Sequence, residues 1–301
     1  STNTLKVWIE EYSTYDKLSN KVSYAKVTVE DAELVVSNAV ETAISFENIE
    51  ANADHVFSAD DDAVCDHCGV KRDTDFVDVW NGTTAAVPAA VDGVITITTA
   101  EQLAGLAASV NSGTKYTNIV IRLAKNIDLN NYEWTPIGVG SSPKANSFVG
   151  IFDGQGHIVS NFKIDASDRT YYAGLFAQVS QYSGENTVIK NLIVKDAIVV
   201  GTSQVGVIVG GMNGNTVVEN CHVYNSHVKA VKKVGSVVGY TAGGTVKDNY
   251  AENCVVEYSE KEAGEVLGFE NTGCTVTGNT FKDITFVASA AALAMSHFPP
   301  F

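Results

Sequence analysis

The chain has 301 residues, of which 45% are apolar and 18% charged, enough for one well-packed coil domain with something smaller in front. Twenty Lys and Arg against 35 Asp and Glu give a formal net charge of −15. That balance argues against a nucleic-acid partner and against anionic membrane surfaces, both of which require basic residues. Uncharged glycans, cations and basic surfaces stay open. The longest apolar run, Ala288 to Met295, is far short of the roughly 20 residues that cross a membrane, so no membrane insertion is expected. No secretory leader is visible at Ser1, as expected of a mature secreted chain or of a product that has lost only its initiator Met.

In chain order, residues 4–11 and 21–29 alternate like half-buried strands, and residues 30–45 read as a helix capped near Asp31. A small α+β module, with an assembly or stalk role, is therefore expected over residues 1–50. A spacer follows over residues 51–90, carrying Cys65-Asp-His-Cys68-Gly. Two thiolates at this spacing present half of a zinc site, and His55 or His67 supplies a third ligand. A complete site needs four ligands, so a disulfide or an inert reduced pair are the alternatives. Asp60 to Asp62, with Asp73 and Asp75, read either as a loose Ca²⁺ site or as a solvated loop.

Thr98 to Asn111 has the pattern of one amphipathic helix. Thr98 with Glu101, or Thr99 with Gln102, has capping-box spacing, and Leu103, Leu106, Ala107 and Val110 share a face. Such a helix would close the open end of a solenoid core. Residues 118–129 read as strand, turn and strand.

From there the chain repeats. Asn161, Asn191, Asn220, Asn249 and Asn279 are separated by 30, 29, 29 and 30 residues. Gly174, Gly206, Gly235 and Gly264 keep step within apolar runs, and a second turn residue follows in Asp196, Asn225, Asn253 and Asp283. Segments this short, β-branched and interrupted are strands with tight corners. A period near 29 means one unit stacked on itself. The architecture expected over residues 91–301 is mainly β, a right-handed parallel β-helix with three strands to a turn and an N-terminal capping helix. The five asparagines read as one structural ladder, each amide bonding to the next while tolerating the left-handed corner. The glycines supply positive φ or close backbone approach. The apolar residues 288–301 either cap the far end or dock on a partner.

Three phrases occur in a recognisable order: Trp134-Thr-Pro-Ile-Gly138, Phe152-Asp-Gly-Gln-Gly-His157 and Ala173-Gly-Leu-Phe176, the last with variants at Val205, Val234 and Ala263. Together with the helix before them, they resemble the GLUG-repeat proteins of bacterial cell surfaces, over residues 95–287. Ala177 stands where that family usually has Gly, and Ser236 and Glu265 replace its usual Leu. The resemblance implies a secreted or surface-attached module of adhesin type, extracellular in location, with no catalytic motif to carry over.

An enzyme on a β-helix would need paired carboxylates across a groove. The best cluster is Asp165, Asp168 and Arg169, beside Tyr171 and Tyr172, a candidate ligand face. Glu219 and Asp248 read as equivalent positions just before the ladder asparagine. The tyrosines of the coils, Tyr182, Tyr240 and Tyr250 among them, suit stacking on sugar rings. The reading is a non-enzymatic surface protein that presents a face to a glycan or protein. A filament or virion subunit, self-assembling through residues 1–50 or the tail, and a polysaccharide lyase or hydrolase are the alternatives. Cys221, Cys254 and Cys274 fall on coil positions and form no disulfide framework.

Overall fold

A computed structural model of the chain describes residues 77–139, 146–167, 172–180, 187–260 and 262–289, together with the short strands Tyr15–Asp16 and Lys21–Val22. Those two strands pair antiparallel. The chain divides into two units, Ser1–His55 and Val56–Phe301. The rest of the expected α+β module, the Cys65–Cys68 spacer with His55 and His67, and the tail beyond residue 289 lie outside the described residues.

The second unit is a parallel β-solenoid. Every pairing between named strands from Val77 to Ala288 is parallel, and the strands form sheets of seven, seven, five, four and three. One full coil runs Val188–Lys190, Ile193–Lys195, Ile198–Gly201, Ser203–Gly206 and Val209–Asn213. It therefore has five short strands, where three were expected. The extra two come from the glycine phrase, which forms strands on both sides of a tight turn at Val207 and Ile208.

The core follows from alternation within each strand. Ile121, Phe152, Ile189, Val218 and Val246 stack in one inward column, and Ile127, Val159, Val194, Val223 and Ala251 in the next. All ten are fully buried. Burial of each large aliphatic or aromatic side chain contributes about 1.5–3 kcal/mol, so these columns dominate the stability of the coils. Phe148, Phe152 and Phe176 meet edge to face, with centroids 5.2 and 5.1 Å apart.

The helix Ala100–Asn111 packs beside Val94–Ile97, the outermost strand of its sheet. Thr99 is its N-cap and accepts from Gln102 N–H, while Gln102 Oε1 accepts from Thr98 N–H at 2.8 Å. Of the two expected capping pairs, the structure uses Thr99 with Gln102. Leu103, Leu106, Ala107 and Val110 are buried in the coil core. At the helix end, Asn111 Oδ1 accepts from both Gly138 and Val139 N–H at 2.8 Å, and Asn111 Nδ2 donates to Pro136 O. That explains the Trp134–Gly138 corner: Gly138 takes a φ of 88° there, and its amide bonds back to the helix.

Candidate ligand-binding face

The asparagines of the near-29 repeat occupy three different structural columns. Lys190 pairs with Glu219 and Glu219 with Lys247, so the corner residue after each is Asn191, Asn220 and Asp248. All three have positive φ, at 52°, 48° and 55°. Here the amides do stack: Asn220 Nδ2 donates to Asn191 Oδ1 at 2.9 Å, and Asn191 Nδ2 to Asp153 Oδ1 at 2.9 Å. Asn161 belongs to the second corner, because Ser160 pairs with Lys195 and Lys195 with Tyr224. Its column mates are Asp196, Asn225, Asn253 and Asp283, all left-handed. Asn249 and Asn279 point inward, in the column of Leu192 and Cys221.

The single expected ladder is thus corrected to two corner ladders and an internal amide pair. Asn161 is displaced because the first corner of its coil, between Asp153 and Ile158, is two residues longer than that between Lys190 and Ile193; for Asn249 and Asn279 the cause is one missing residue. Ala242 still pairs with Asn213, but Thr245 pairs with Val217, so the corner between them is shorter by one residue at Gly243.

The same shift corrects the pairing of Glu219 with Asp248. Glu219 stands against Lys247 at 2.8 Å. Arg122, Asp153, Lys190, Glu219 and Lys247 occupy successive positions of one column, alternating in sign along the solenoid. Glu219 raises the pKa of Lys247. Burial pushes the Asp153 carboxyl up, but bonds from Gln155 and Asn191 and the charge of Lys190 outweigh it and hold the group below its usual range.

Of the expected ligand face, Asp168, Arg169 and Tyr171 lie outside the described residues. Asp165 is exposed on the strand Lys163–Ala166, where its N–H donates to Glu133 Oε1 at 2.6 Å. Ser167 bonds to its carboxylate and lowers its pKa. Tyr172 belongs to a different column, at the entry to the glycine phrase. Asp165 follows the register of Val200, Lys229 and Glu257; Val200 separates it from Lys229 and Glu257, which pair with each other at 2.6 Å.

A cluster that the sequence reading did not assemble lies on the second sheet. His222 pairs with Tyr250, and Tyr224 with Glu252. The three rings meet edge to face: His222 and Tyr250 at 5.9 Å, Tyr224 and Tyr250 at 5.8 Å, and His222 and Tyr224 at 6.3 Å. All three are half-buried at outward positions, between the buried residues Cys221, Val223 and Ala251. Tyr250 Oη donates to Glu252 Oε2 at 2.9 Å, and Lys282 pairs with the other oxygen. Those bonds hold Glu252 below its usual pKa. Lys195 Nζ sits 6.0 Å from the Tyr224 centroid. Beside His222 is a shallow dent of about 10 Å³, the size of one water molecule, lined by Gly156, Asn191, Ile193, Asn220 and His222. Aromatic rings and amide side chains meet there on an open surface, a combination suited to contact with a ligand lying across the face.

Fold and face together define a parallel β-solenoid with a partly exposed aromatic and charged strip on one sheet. No family model matches the chain. A stretch of 123 residues is 34% identical to halomucin of Haloquadratum walsbyi; it amounts to 38% of this chain and 1% of halomucin. The chain thus spans about one hundredth of that relative's length. Among solved structures, a candidate immunoglobulin A1 protease from Bacteroides ovatus matches 64% of this chain and 74% of its own, with 16% identity and a TM-score of 0.36. At that score the likeness carries no argument about activity.

Proposed function

We propose that this chain is an adhesin-like protein of GLUG type, without enzymatic activity, that works outside a bacterial cell and presents one solenoid face to a glycan or protein. The observation that carries this reading is the His222, Tyr224 and Tyr250 cluster, set beside the side chains of Asn191 and Asn220. The ordered phrases Trp134–Gly138, Phe152–His157 and Ala173–Phe176 support the GLUG assignment. Carboxylates on the coil faces also favour binding over hydrolysis. Asp153, Glu219, Glu252 and Glu257 are each engaged by a lysine, whereas a glycosidase sets one carboxyl group across a groove from another.

The test is binding of the intact chain to a broad glycan array, with and without EDTA, repeated with Tyr224→Ala. Selective binding that falls with Tyr224→Ala is expected, and loss in EDTA would place a cation in the contact. Silence across the array overturns the glycan reading. Product release from polyuronates by the wild-type chain would overturn the non-enzymatic one.

A second reading, a subunit of an extracellular filament or virion, draws on the last coil. Val276, Phe281 and Phe286 continue the inward columns of Val246, Ala251 and Val256, yet are 42%, 54% and 41% exposed. A second copy stacked on that end would cover them. Sedimentation showing a monomer across the micromolar range would dismiss it.

A further inference from the structure

The corner that opens the glycine phrase differs from the other two in the residues it holds left-handed. At the first and second corners the non-glycine ones are Asn or Asp, which tolerate that region, apart from Gln155 at the first corner. At the third they are Tyr172, Gln204, Lys233 and Glu262, with φ of 63°, 58°, 58° and 86°. The pairings Ala173 with Val205, Val205 with Val234 and Val234 with Ala263 set these four in one column. Four long side chains are held there against backbone preference, as happens where a corner serves more than folding.

Beside them runs a second column, Gln178, Gly211, Tyr240 and Phe269. The Tyr172 ring covers Gly211: a methyl group placed on that glycine would sit 2.5 Å from the ring and 3.2 Å from Gln204 Oε1. On the next coils Tyr240 and Phe269 stack, with centroids 6.1 Å apart and planes 8° apart. Lys233 Nζ lies 4.6 Å from one centroid and 4.9 Å from the other.

Three polar atoms along these columns have no hydrogen-bond partner among the described residues: Gln178 Nε2, Gln204 Oε1 and Glu262 Oε2. Gln178 and Gln204 are only 3% and 8% exposed. Buried polar atoms without partners are costly and rare in native proteins, so added donors and acceptors at this corner would be stabilising. Lys233 and Glu262 are column neighbours of opposite sign, which disfavours a strongly charged occupant.

We propose that this corner binds a neutral saccharide, whose hydroxyls complete the bonds of Gln178, Gln204 and Glu262 while its C–H surface packs against Tyr240 and Phe269. The site is separate from the His222 face and does not depend on it. It reads a hydroxyl-rich ligand through donors and acceptors spaced by the coil repeat.

Calorimetric titration of the full chain with cellohexaose, maltohexaose, xylohexaose and mannohexaose tests this, with hexagalacturonate as the charged comparison. At least one neutral sugar is expected to bind more tightly than hexagalacturonate. Tyr240→Ala and Gln204→Leu should each weaken that binding about tenfold or more, and Lys229→Met, on another face, should leave it unchanged. Should Tyr240→Ala fail to fold, Lys233→Met, a change at a partly exposed side chain, reads the same contact. The proposal falls if none of the four neutral sugars binds, if hexagalacturonate binds best, or if the variants at this corner bind like wild type. Binding lost only in Tyr224→Ala would move the sugar to the His222 face, ending this proposal and leaving the adhesin reading standing.

Discussion

Asn249 lies against Cys221, one coil away, and closes the backbone there: its Oδ1 accepts the Cys221 N–H at 3.0 Å. Its Nδ2 donates to Val218 O at 3.0 Å and to Asn279 Oδ1 at 2.9 Å, and the residue is 1% exposed. An amide in that position satisfies groups that water cannot reach. Asn249→Ala removes it and strands a buried N–H and a buried carbonyl, at about 1–3 kcal/mol each. Asn220→Ala, at a half-buried corner, is expected to cost only about 1 kcal/mol. Urea unfolding of the two variants should rank them in that order; equal losses would mean that the register is wrong.

How far this register can be read from sequence depends on particular intervals. The inward columns, the capping helix and the glycine pairs follow directly from alternation and periodicity. The asparagine assignment does not, because Thr-Val-x-x-Asn recurs at 245–249 and 275–279 while the structure has slipped by one. A sign of the slip exists in the sequence. Asn191 to Asp196 and Asn220 to Asn225 span five residues, whereas Asn249 to Asn253 and Asn279 to Asp283 span four. The aromatic face was hidden for the same reason. With a uniform period of 29, Tyr250 stacks on Cys221 and points inward; only the shortened corner at Gly243 sets it against His222.

The glycine phrase should resist even the smallest side chain. A methyl group on Gly210 would lie 2.7 Å from Ala173 N and from Ala177 O, and 2.8 Å from Gln204 O, all backbone atoms that cannot swing aside. Gly210→Ala is expected to lower stability by about 1–3 kcal/mol. Ala177 occupies the same column one coil earlier, 2% exposed. Thermal unfolding of Gly210→Ala beside wild type checks this, and an unchanged midpoint would sink it.

Acid should act through Asp153. Its folded carboxyl is held below the ordinary 3.8, so it contributes stability that is present above that value and is lost as pH falls through the folded pKa. Asp153→Asn should therefore be less stable than wild type at pH 7, and the gap should narrow below about pH 4. Urea midpoints at pH 7, 4 and 3 measure it; a gap that stays constant would show that the charge is not the source.

Two buried thiols should be inert in the folded chain. Burial pushes Cys221 up to about 12 and raises Cys254 as well, and the thiolate is the reactive form. Iodoacetamide at pH 8 should leave both unmodified in native protein and label both after denaturation, as read by peptide mass mapping. Rapid labelling of Cys221 in folded protein would contradict its burial.

The charge column offers the sharpest check of register. Glu219 and Lys247 pair at 2.8 Å with side chains 28% and 39% exposed, so solvent keeps their coupling small. A double-mutant cycle with Glu219→Gln and Lys247→Met should return a small favourable coupling. The cycle of Glu219→Gln with Asp248→Asn should return less, because Asp248 belongs to the corner column of Asn191 and Asn220. Exchanging the pair, as Glu219→Lys with Lys247→Glu, would set the introduced ammonium group beside Lys190 and remove the alternation that runs from Arg122 to Lys247. That double variant should therefore be less stable than wild type although its own pair is intact, and the deficit should shrink as salt is added. Full stability at low salt would mean that the column carries charge without coupling between coils.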